Sequence, residues 1–347
     1  MKEFTKYIIE RSASVRDALV KLDALSDDVL TLFIIEAGKL VGTLTDGDIR
    51  RFLIKDGSLN VSVDKVMNHN FSYICPGEKN VQKIKDFRNS GIRLLPCIDN
   101  SGNLLRVFNV SQKKSIIPIE AVLMAGGRGE RLRPLTEKTP KPLLKIGNKA
   151  IIDYNIDNLI SYGVENIYVT TNYLAEQIEE HFKEKRQGIR IKCIREKEYL
   201  GTIAPVKLIS NIKGDEILVM NSDLFTNIDF EDFYRHFLEK NADMSVAAIP
   251  YSINVPYGIF ELDGRNIQGV KEKPTYNYYA NAGIYLIKKK LLDLIPKGVF
   301  FNATDFLDLL ISQGKGVIRY PLVGYWIDIG KPVDYQKAQE FVKHIKE

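Results

Sequence analysis

The stretch Leu123-Met-Ala-Gly-Gly-Arg-Gly-Glu-Arg-Leu-Arg-Pro-Leu-Thr136 decides how this chain is read. Its apolar start predicts a strand, which runs into Gly126, Gly127 and Gly129 and then into arginines. Glycines let a backbone approach an anion closely and aim several N–H groups at it. Arg128, Arg131 and Arg133 add guanidinium forks that match phosphate oxygens. A dinucleotide fingerprint needs a glycine three after Gly129, where Leu132 stands, and a Walker loop needs Gly-Lys-Ser/Thr, which is absent. Lys141 follows between Pro140 and Pro142, whose rings predict that it is held in an extended segment. A glycine-rich turn beside a surface lysine is the plain alternative. The lysine following the loop favours phosphate binding.

Outward from the loop, strand and helix patterns alternate. Ala121–Met124 is an apolar run, 151–162 has helical spacing and stops at Gly163, and Ile167–Thr171 is strand-like. A helix is predicted through 175–187 up to Gly188, followed by strands at Ile189–Ile194 and Ile217–Met220, the second just before Asn221-Ser-Asp223. Such alternation predicts an α/β fold with a mostly parallel sheet and helices on both faces. Ligands of such sheets bind beyond the carboxyl ends of the strands.

Upstream lies a weak internal repeat. Residues 32–48 (LFIIEAGKLVGTLTDGD) and 95–112 (LPCIDNSGNLLRVFNVSQ) each read as a hairpin turning at a glycine, Gly38 or Gly102. A short helix precedes each, marked by Val15, Ala18, Leu19 and Leu22, and by Val81, Ile84 and Phe87. Neither unit has much core alone, so the two are expected to pack together. The segment 111–120 (SQKKSIIPIE) reads as a polar connection. The expected division is 1–114, a linker at 115–119, and a second domain over 120–347.

The rest of the composition excludes more than it assigns. The 347 residues exceed one average domain, and the net charge of +5 (49 basic against 44 acidic side chains) forms no basic stripe, which argues against nucleic acid. Cys75, Cys97 and Cys193 lie far apart with no CxxC pair, so a reducing compartment is expected and a structural zinc is not. The opening MKEFTKYIIERS lacks a signal-peptide core and no apolar run reaches spanning length. The expectation is a cytoplasmic protein with no membrane partner. His69, His181, His236 and His344 show no mutual spacing that suggests metal binding or a triad.

The segment LMAGGRGERLRPLTEKTPKPLL resembles the signature of the sugar-1-phosphate nucleotidyltransferases, or nucleoside-diphosphate-sugar pyrophosphorylases, and the likeness extends over about residues 119–347. It implies a mostly parallel, Rossmann-like mixed sheet, the nucleotide-diphospho-sugar transferase fold. It also implies a nucleoside triphosphate and a sugar 1-phosphate as substrates, with Mg2+ as cofactor. On this likeness the nucleotide is held by Leu123, Ala125, Gly126, Gly127, Arg131, Lys141, Gly201 and Thr202, the last two within Glu198-Tyr-Leu-Gly-Thr202. Gly258, Glu272, Lys273 and Asn281, within Pro256-Tyr-Gly-Ile259, Glu272-Lys-Pro274 and Asn281-Ala-Gly-Ile284, match the sugar-phosphate side. Asp223, and Asp328 within Trp326-Ile-Asp-Ile-Gly330, match the metal-binding aspartates. Arg131, Lys141 and Lys273 are the implied catalytic cations. Glu130 departs from the family, where many members have threonine, and is expected to point away or cap the following turn.

The residue types suit that chemistry independently of the likeness. Magnesium takes oxygen ligands, usually one or two carboxylates plus substrate phosphates. Asp223 and Asp328 each end an apolar run, although a turn or N-cap aspartate and a buried hydrogen-bonded aspartate are the ordinary alternatives. Lys273 reads equally as a solvated lysine in a charged turn, and Tyr276, Tyr278 and Tyr279 as packing.

The upstream repeat resembles a tandem pair of cystathionine-β-synthase (CBS) domains over about residues 1–114. That likeness implies a regulatory or dimerising α/β module with an adenine nucleotide between the repeats and a homo-oligomer. Thr45 and Asp48, in Thr45-Asp-Gly-Asp48, match its ribose motif, while Asn109 and Gln112 replace it in the second repeat. A turn with a capping aspartate explains the same residues. The joined architecture resembles guanylyltransferases acting on mannose 1-phosphate or glucosamine 1-phosphate, and most closely the glucosamine-1-phosphate type of legionaminic acid synthesis. No hexapeptide repeat follows within the sequence, so the acetyltransferase-fused type is not expected. Cytidylyl, uridylyl or thymidylyl transfer on the same fold, and a catalytically silent nucleotide sensor, are the competing readings.

Overall fold

A computed structural model describes residues 4–344, so the outermost residues of the expected domains, 1–3 and 345–347, lie outside it. The chain forms two compact units that divide between Pro118 and Ile119.

In the first unit, β1 (Ile8–Glu10), α1 (Val15–Asp23), β2 (Thr31–Glu36), β3 (Lys39–Thr45) and α2 (Asp46–Ile54) form a β-α-β-β-α run. β1 lies parallel to β2, and β2 antiparallel to β3. α3 (Val81–Asn89), β4 (Leu94–Ile98) and β5 (Leu104–Asn109) repeat that order, with the counterpart of β1 reduced to a parallel bridge between Ile74 and Cys97. Helical spacing puts Val15, Ala18 and Leu22 on the buried face of α1, and Ser14 and Asp17 cap it reciprocally. The repeats share a core, in which Leu94, Ile98 and Leu104 cluster with Leu32, Ile34 and Leu44. The connection expected over 111–120 is exposed or half-buried in its polar first part, whereas Ser115, Ile116, Ile117 and Ile119 are buried. Arg88 Nη1 donates to the carbonyls of Lys113 and Lys114, which pins the chain so that its isoleucines turn inward.

The second unit opens with β6 (Glu120–Met124), which leads into the glycine loop. A small hairpin of β7 (Lys145–Ile146) and β8 (Lys149–Ala150) then precedes α4 (Ile151–Ser161), β9 (Ile167–Thr171), α5 (Ala175–His181) and β10 (Lys192–Arg195). After β11 (Glu216–Asn221) come the short β12 (Leu224–Thr226) and α6 (Phe230–Glu239). β13 (Met244–Asn254), β14 (Ile259–Asp263), β15 (Asn266–Lys271) and β16 (Thr275–Lys288) run out and back, and α7 (Ala303–Ser312), β17 (Val317–Pro321), β18 (Trp326–Asp328) and α8 (Pro332–Val342) complete the unit.

Seven strands form one sheet in the order β10-β9-β6-β11-β16-β13-β17. All run the same way except β16, which is antiparallel to both neighbours, so the sheet is mixed and mostly parallel as expected. The reversal arises because β16 is the return leg of the excursion begun by β13. Ala121, Val122 and Leu123 are wholly buried, as a strand covered on both faces requires. The ends of β6, β9, β10 and β11 lie along one edge, and the site lies beyond them. No helix among the described residues is long and apolar enough to cross a membrane.

One helix is shorter than predicted. α5 stops at His181, and strand pairing resumes only at Lys192. Between them Arg186 and Ile189 exchange backbone hydrogen bonds across Gln187 and Gly188, both at positive φ. The turn is anchored by Arg186, which donates to Asp157 at 2.5 and 2.8 Å and lies 3.2 Å from Asp153, both on α4. Those contacts hold the segment out of helical geometry.

Candidate active site

The loop after β6 borders a cleft of about 670 Å3. Ala125 N–H donates to the Thr170 carbonyl at the end of β9, which fixes where the loop begins. A Cβ on Gly126 would meet Glu196 Oε1, so the close approach there holds only while that carboxylate keeps its place. Gly129 adopts a left-handed φ of 63°, and Thr136 Oγ1 donates to its carbonyl at 2.8 Å, closing the loop on itself. Arg131 lies in the single 3-10 turn Glu130–Leu132. Glu130 is exposed, with its carboxylate 4.0 Å from Arg128 Nη1, and opens that turn.

Lys141 is a second correction, because it opens a 3-10 turn, Lys141–Leu143, and is not extended. Leu143 and Leu144 N–H donate to the carbonyls of Pro140 and Lys141. Pro142 is tolerated because the first turn of a helix needs no N–H from it. The turn buries the lysine stem, leaving the residue 8% exposed, and delivers the ammonium to Asp223.

Asp223 occupies the turn between β11 and β12, where Ser222 Oγ donates to the Met124 carbonyl at 2.7 Å and ties the turn to β6. β12 pairs antiparallel with β18, setting Leu224 opposite Asp328, and Ile329 N–H donates to the Asp223 carbonyl. That short ladder brings the two aspartates together. Lys141 Nζ contacts Asp223 Oδ2 and lies 3.9 Å from Asp328 Oδ1. A Cβ on Gly330 would stand 3.4 Å from both Arg131 Nη2 and Asp328 Oδ2, so the guanidinium shares this corner.

Three features fit a divalent cation here. Asp223 Oδ1 is buried with no hydrogen-bond partner. Burial pushes the Asp328 carboxyl above its usual range, and the charge of Asp223 adds to this against Lys141 and Arg131. The Lys141 ammonium already occupies the gap, a monovalent stand-in for a stronger cation. No group of three or more His, Cys, Asp or Glu side chains among the described residues is able to hold a metal, so the remaining ligands fall to substrate and water.

Gly201 and Thr202 line the same cleft. The Thr202 hydroxyl accepts from Ala303 N–H at 2.9 Å and its own N–H donates to Asn302 Oδ1 at 3.3 Å, so the residue anchors the start of α7. Gly201 has φ 90°, and a Cβ there would stand 2.6 Å from the Phe301 carbonyl. Gly201→Ala is expected to cost about 1–3 kcal/mol, seen as a lower melting temperature. An unchanged melt would mean that the turn relaxes freely.

The sugar-phosphate candidates fall in two places. Asn281 begins an irregularity in β16, donating to Tyr285 Oη and accepting from Gly283 N–H, both at 2.9 Å. Gly283, at φ 70°, approaches Asn221, and Trp326 Nε1 donates to the Ala282 carbonyl, which places this bulge beside the aspartates. Gly258, Glu272 and Lys273 are exposed at the base of the β14–β15 hairpin, outside the cleft lining. Glu272 lies against Gly258, and Lys273 has a left-handed φ of 43°.

Glu196 escaped the sequence reading. It follows β10 at the carboxyl edge, is 3% exposed, and accepts from Leu200 N–H at 3.0 Å through Oε2, while Oε1 is buried without a partner. Burial pushes its carboxyl above the ordinary range, against the Leu200 amide and the Thr170 hydroxyl nearby. Its position at a strand end, five residues before Gly201, was the available signal.

In the first unit, Thr45 and Asp48 border a separate cleft of about 720 Å3. They form a capping box for α2: Thr45 N–H and Oγ1 donate to Asp48 Oδ2 at 2.8 and 2.6 Å, and Arg51 Nη2 donates to Oδ1 at 2.5 Å. The capping explanation of these residues therefore holds in this structure.

A glycine loop at the carboxyl edge of a mostly parallel sheet, with a lysine between two aspartates, defines a phosphate-handling α/β protein. The chain belongs to the nucleotidyl transferase family, whose profile matches residues 120–345. It is 31% identical over 226 residues to mannose-1-phosphate guanyltransferase beta-B of Xenopus laevis, covering 62% of each chain. It is 34% identical over 233 residues to the bifunctional protein GlmU of Methanocaldococcus jannaschii, covering 65% of this chain and 54% of that one. The chain thus spans less than two thirds of the length of these relatives. Among solved structures, HddC from Yersinia pseudotuberculosis complexed with GMP-PN superposes with a TM-score of 0.51 and 26% identity, over 65% of this chain and 99% of that one.

Proposed function

We propose that this chain is a sugar-1-phosphate guanylyltransferase, moving GMP from GTP to a hexose 1-phosphate and releasing pyrophosphate. The observation that carries the reading is the Lys141 ammonium held by Asp223, with Asp328 and Arg131 beside it, facing the glycine loop. A phosphate oxygen of the sugar 1-phosphate attacks the α-phosphorus, and the bond to the β-phosphate oxygen breaks as pyrophosphate leaves in line. Both reactants are polyanions, so the barrier is repulsion and misalignment, and catalysis reduces to positioning and neutralisation. Loop amides and Arg131 hold the triphosphate, and Lys141 exchanges its bond to Asp223 for phosphate oxygens. Asp223 and Asp328 would hold a divalent cation, which supplies charge neutralisation near the α-phosphorus. Glu272 and Lys273 are assigned to the sugar phosphate.

Guanine is supported by the name of the Xenopus relative and by the GMP-PN complexed with HddC. The relative's name favours mannose 1-phosphate as acceptor, whereas the joined architecture favours glucosamine 1-phosphate. Pyrophosphate release from four triphosphates, each with both sugars, tests the reading. Release in no combination would leave a silent nucleotide sensor.

The first unit is assigned an adenine nucleotide in the cleft bordered by Thr45 and Asp48. Asp48→Ala is expected to weaken AMP or ATP binding to the full chain at least tenfold, measured by calorimetry with the second site saturated by GTP. Wild-type chain that binds neither at millimolar concentration would remove this assignment.

A further inference from the structure

Between β9 and α5 the chain turns through Asn172-Tyr173-Leu174, and separate stretches of the cleft wall hang on that turn. Tyr173 N–H donates to the Gly126 carbonyl at 3.4 Å, where the glycine loop begins. Its hydroxyl donates to the carbonyls of Thr136 and Glu137 at 3.0 and 3.2 Å, where the same loop ends. A hydroxyl has one proton, so the two carbonyls share it in a three-centre bond. One helical turn further on, Gln177 Nε2 donates to the Lys138 carbonyl at 2.9 Å. On the other side, Asn172 Nδ2 donates to the Glu196 carbonyl at 3.2 Å.

The loop needs fixing from outside. Its own bonds run from Leu132 N–H and Thr136 Oγ1 to Gly129, from Arg133 N–H to Glu130, and from Leu135 N–H to Leu132. All of them close turns in its second half. The N–H groups of Gly127, Arg128 and Gly129 donate to no group among the described residues. Consecutive free amides can cradle an anion, but glycine backbone also has the most conformations to lose. Affinity falls in proportion to the fraction of time the loop spends out of shape. Leu174 adopts a left-handed φ of 49°. A non-glycine residue stays there only where its surroundings enforce it, and such strain gathers at functional sites.

We propose that Tyr173 is a positioning residue for the triphosphate. Its amide and hydroxyl clasp the glycine loop at start and end, and so hold the Gly127–Gly129 amides in the shape that receives phosphate. The hydroxyl proton is taken by backbone carbonyls, so the residue acts through the loop and not on the substrate. This role rests on the proposed function and adds to it a residue outside the cleft lining.

Calorimetry of inorganic tripolyphosphate binding to the full chain tests the proposal, beside steady-state kinetics with GTP. Tyr173→Phe keeps the ring and the amide and removes only the clasp at the loop's end. It should weaken tripolyphosphate binding about three- to tenfold, the effect of one lost hydrogen bond, and raise the KM for GTP by the same factor. Saturating kcat and the KM for the sugar 1-phosphate should stay within about twofold, as expected when only triphosphate binding is lost. Deuterium exchange at the Gly127–Gly129 amides should quicken. A residue that merely supports the fold would lower the melting temperature without producing that split. Tyr335→Phe removes a tyrosine hydroxyl from the Lys145 carbonyl, outside the loop, and should bind tripolyphosphate as the wild type does. Equal binding by Tyr173→Phe and wild type would overturn the proposal alone, as would an equal loss in Tyr335→Phe. A wild type that neither binds tripolyphosphate nor releases pyrophosphate would overturn it together with the proposed function.

Discussion

Asp223→Asn is expected to keep the fold and to lower kcat by about 100- to 1000-fold or more, the loss of ~3 kcal/mol that follows removal of one preorganised electrostatic group. The carboxylate contacts Lys141 through one oxygen and leaves the other buried without a partner, so an amide there both weakens the lysine's anchor and removes a cation ligand. Asp328→Asn should follow the same direction. The structure adds a second readout that does not depend on turnover. Because the Lys141 ammonium occupies the space between the carboxylates, Lys141→Met should bind a divalent cation more tightly in the absence of nucleotide, even as turnover collapses. Calorimetry with Mg2+ or Mn2+ on the ligand-free chain measures this. Pyrophosphate release near the wild-type rate in Asp223→Asn would remove that residue from the site.

GTP is expected to exceed ATP in kcat/KM by a factor of ~10^4, the discrimination available where a site hydrogen-bonds its substrate. Guanine presents N1–H and an exocyclic amino group as donors along one edge, and adenine presents the reverse arrangement. Glu196 Oε1, against Gly126 of the loop, is an acceptor that the chain itself leaves unsatisfied. Glu196→Gln should therefore reduce the advantage of GTP by one to two orders of magnitude, the ~1.5–3 kcal/mol of a hydrogen bond to a charged group. The ligand-free chain gives an independent check. Burial raises the folded-state pKa of Glu196, so its stabilising contribution is full below the unfolded value near ~4.3 and is lost as pH rises through the folded one. The glutamine variant carries no such loss, and its melting temperature relative to wild type should climb with pH. A higher kcat/KM for CTP, UTP or dTTP than for GTP would overturn the base assignment and leave the reaction class standing.

The parts of this fold that were legible in advance are those written locally. The glycine loop, the alternation that gives the parallel strands, and the two repeated hairpins all follow from short-range pattern and turn chemistry. Asp223 and Asp328 were named through the family likeness, and their place at the end of an apolar run was compatible with it. What stayed hidden depends on partners far away in the chain. α5 ends early because Arg186 is drawn to Asp153 and Asp157 on another helix, which no helical periodicity encodes. Lys141 looked extended because two prolines suggest it, yet Pro142 also suits a first helical turn, and the bond to Asp223 selects the turn. Glu196 carries no motif of its own and gains meaning only from the glycine above it.

The ladder between β12 and β18 has a consequence for how the protein is made. It joins Leu224–Thr226 to Trp326–Asp328 by three residue pairs, across about a hundred residues of intervening chain. A ribosome releases the glycine loop, Arg131, Lys141 and Asp223 long before it releases Asp328. The nascent chain therefore carries both the glycine loop and Asp223 without Asp328 for about a hundred residues of its synthesis. On the proposed function, turnover then waits for the final strand to dock, and a product cut short before Trp326 is expected to bind a triphosphate without turning it over.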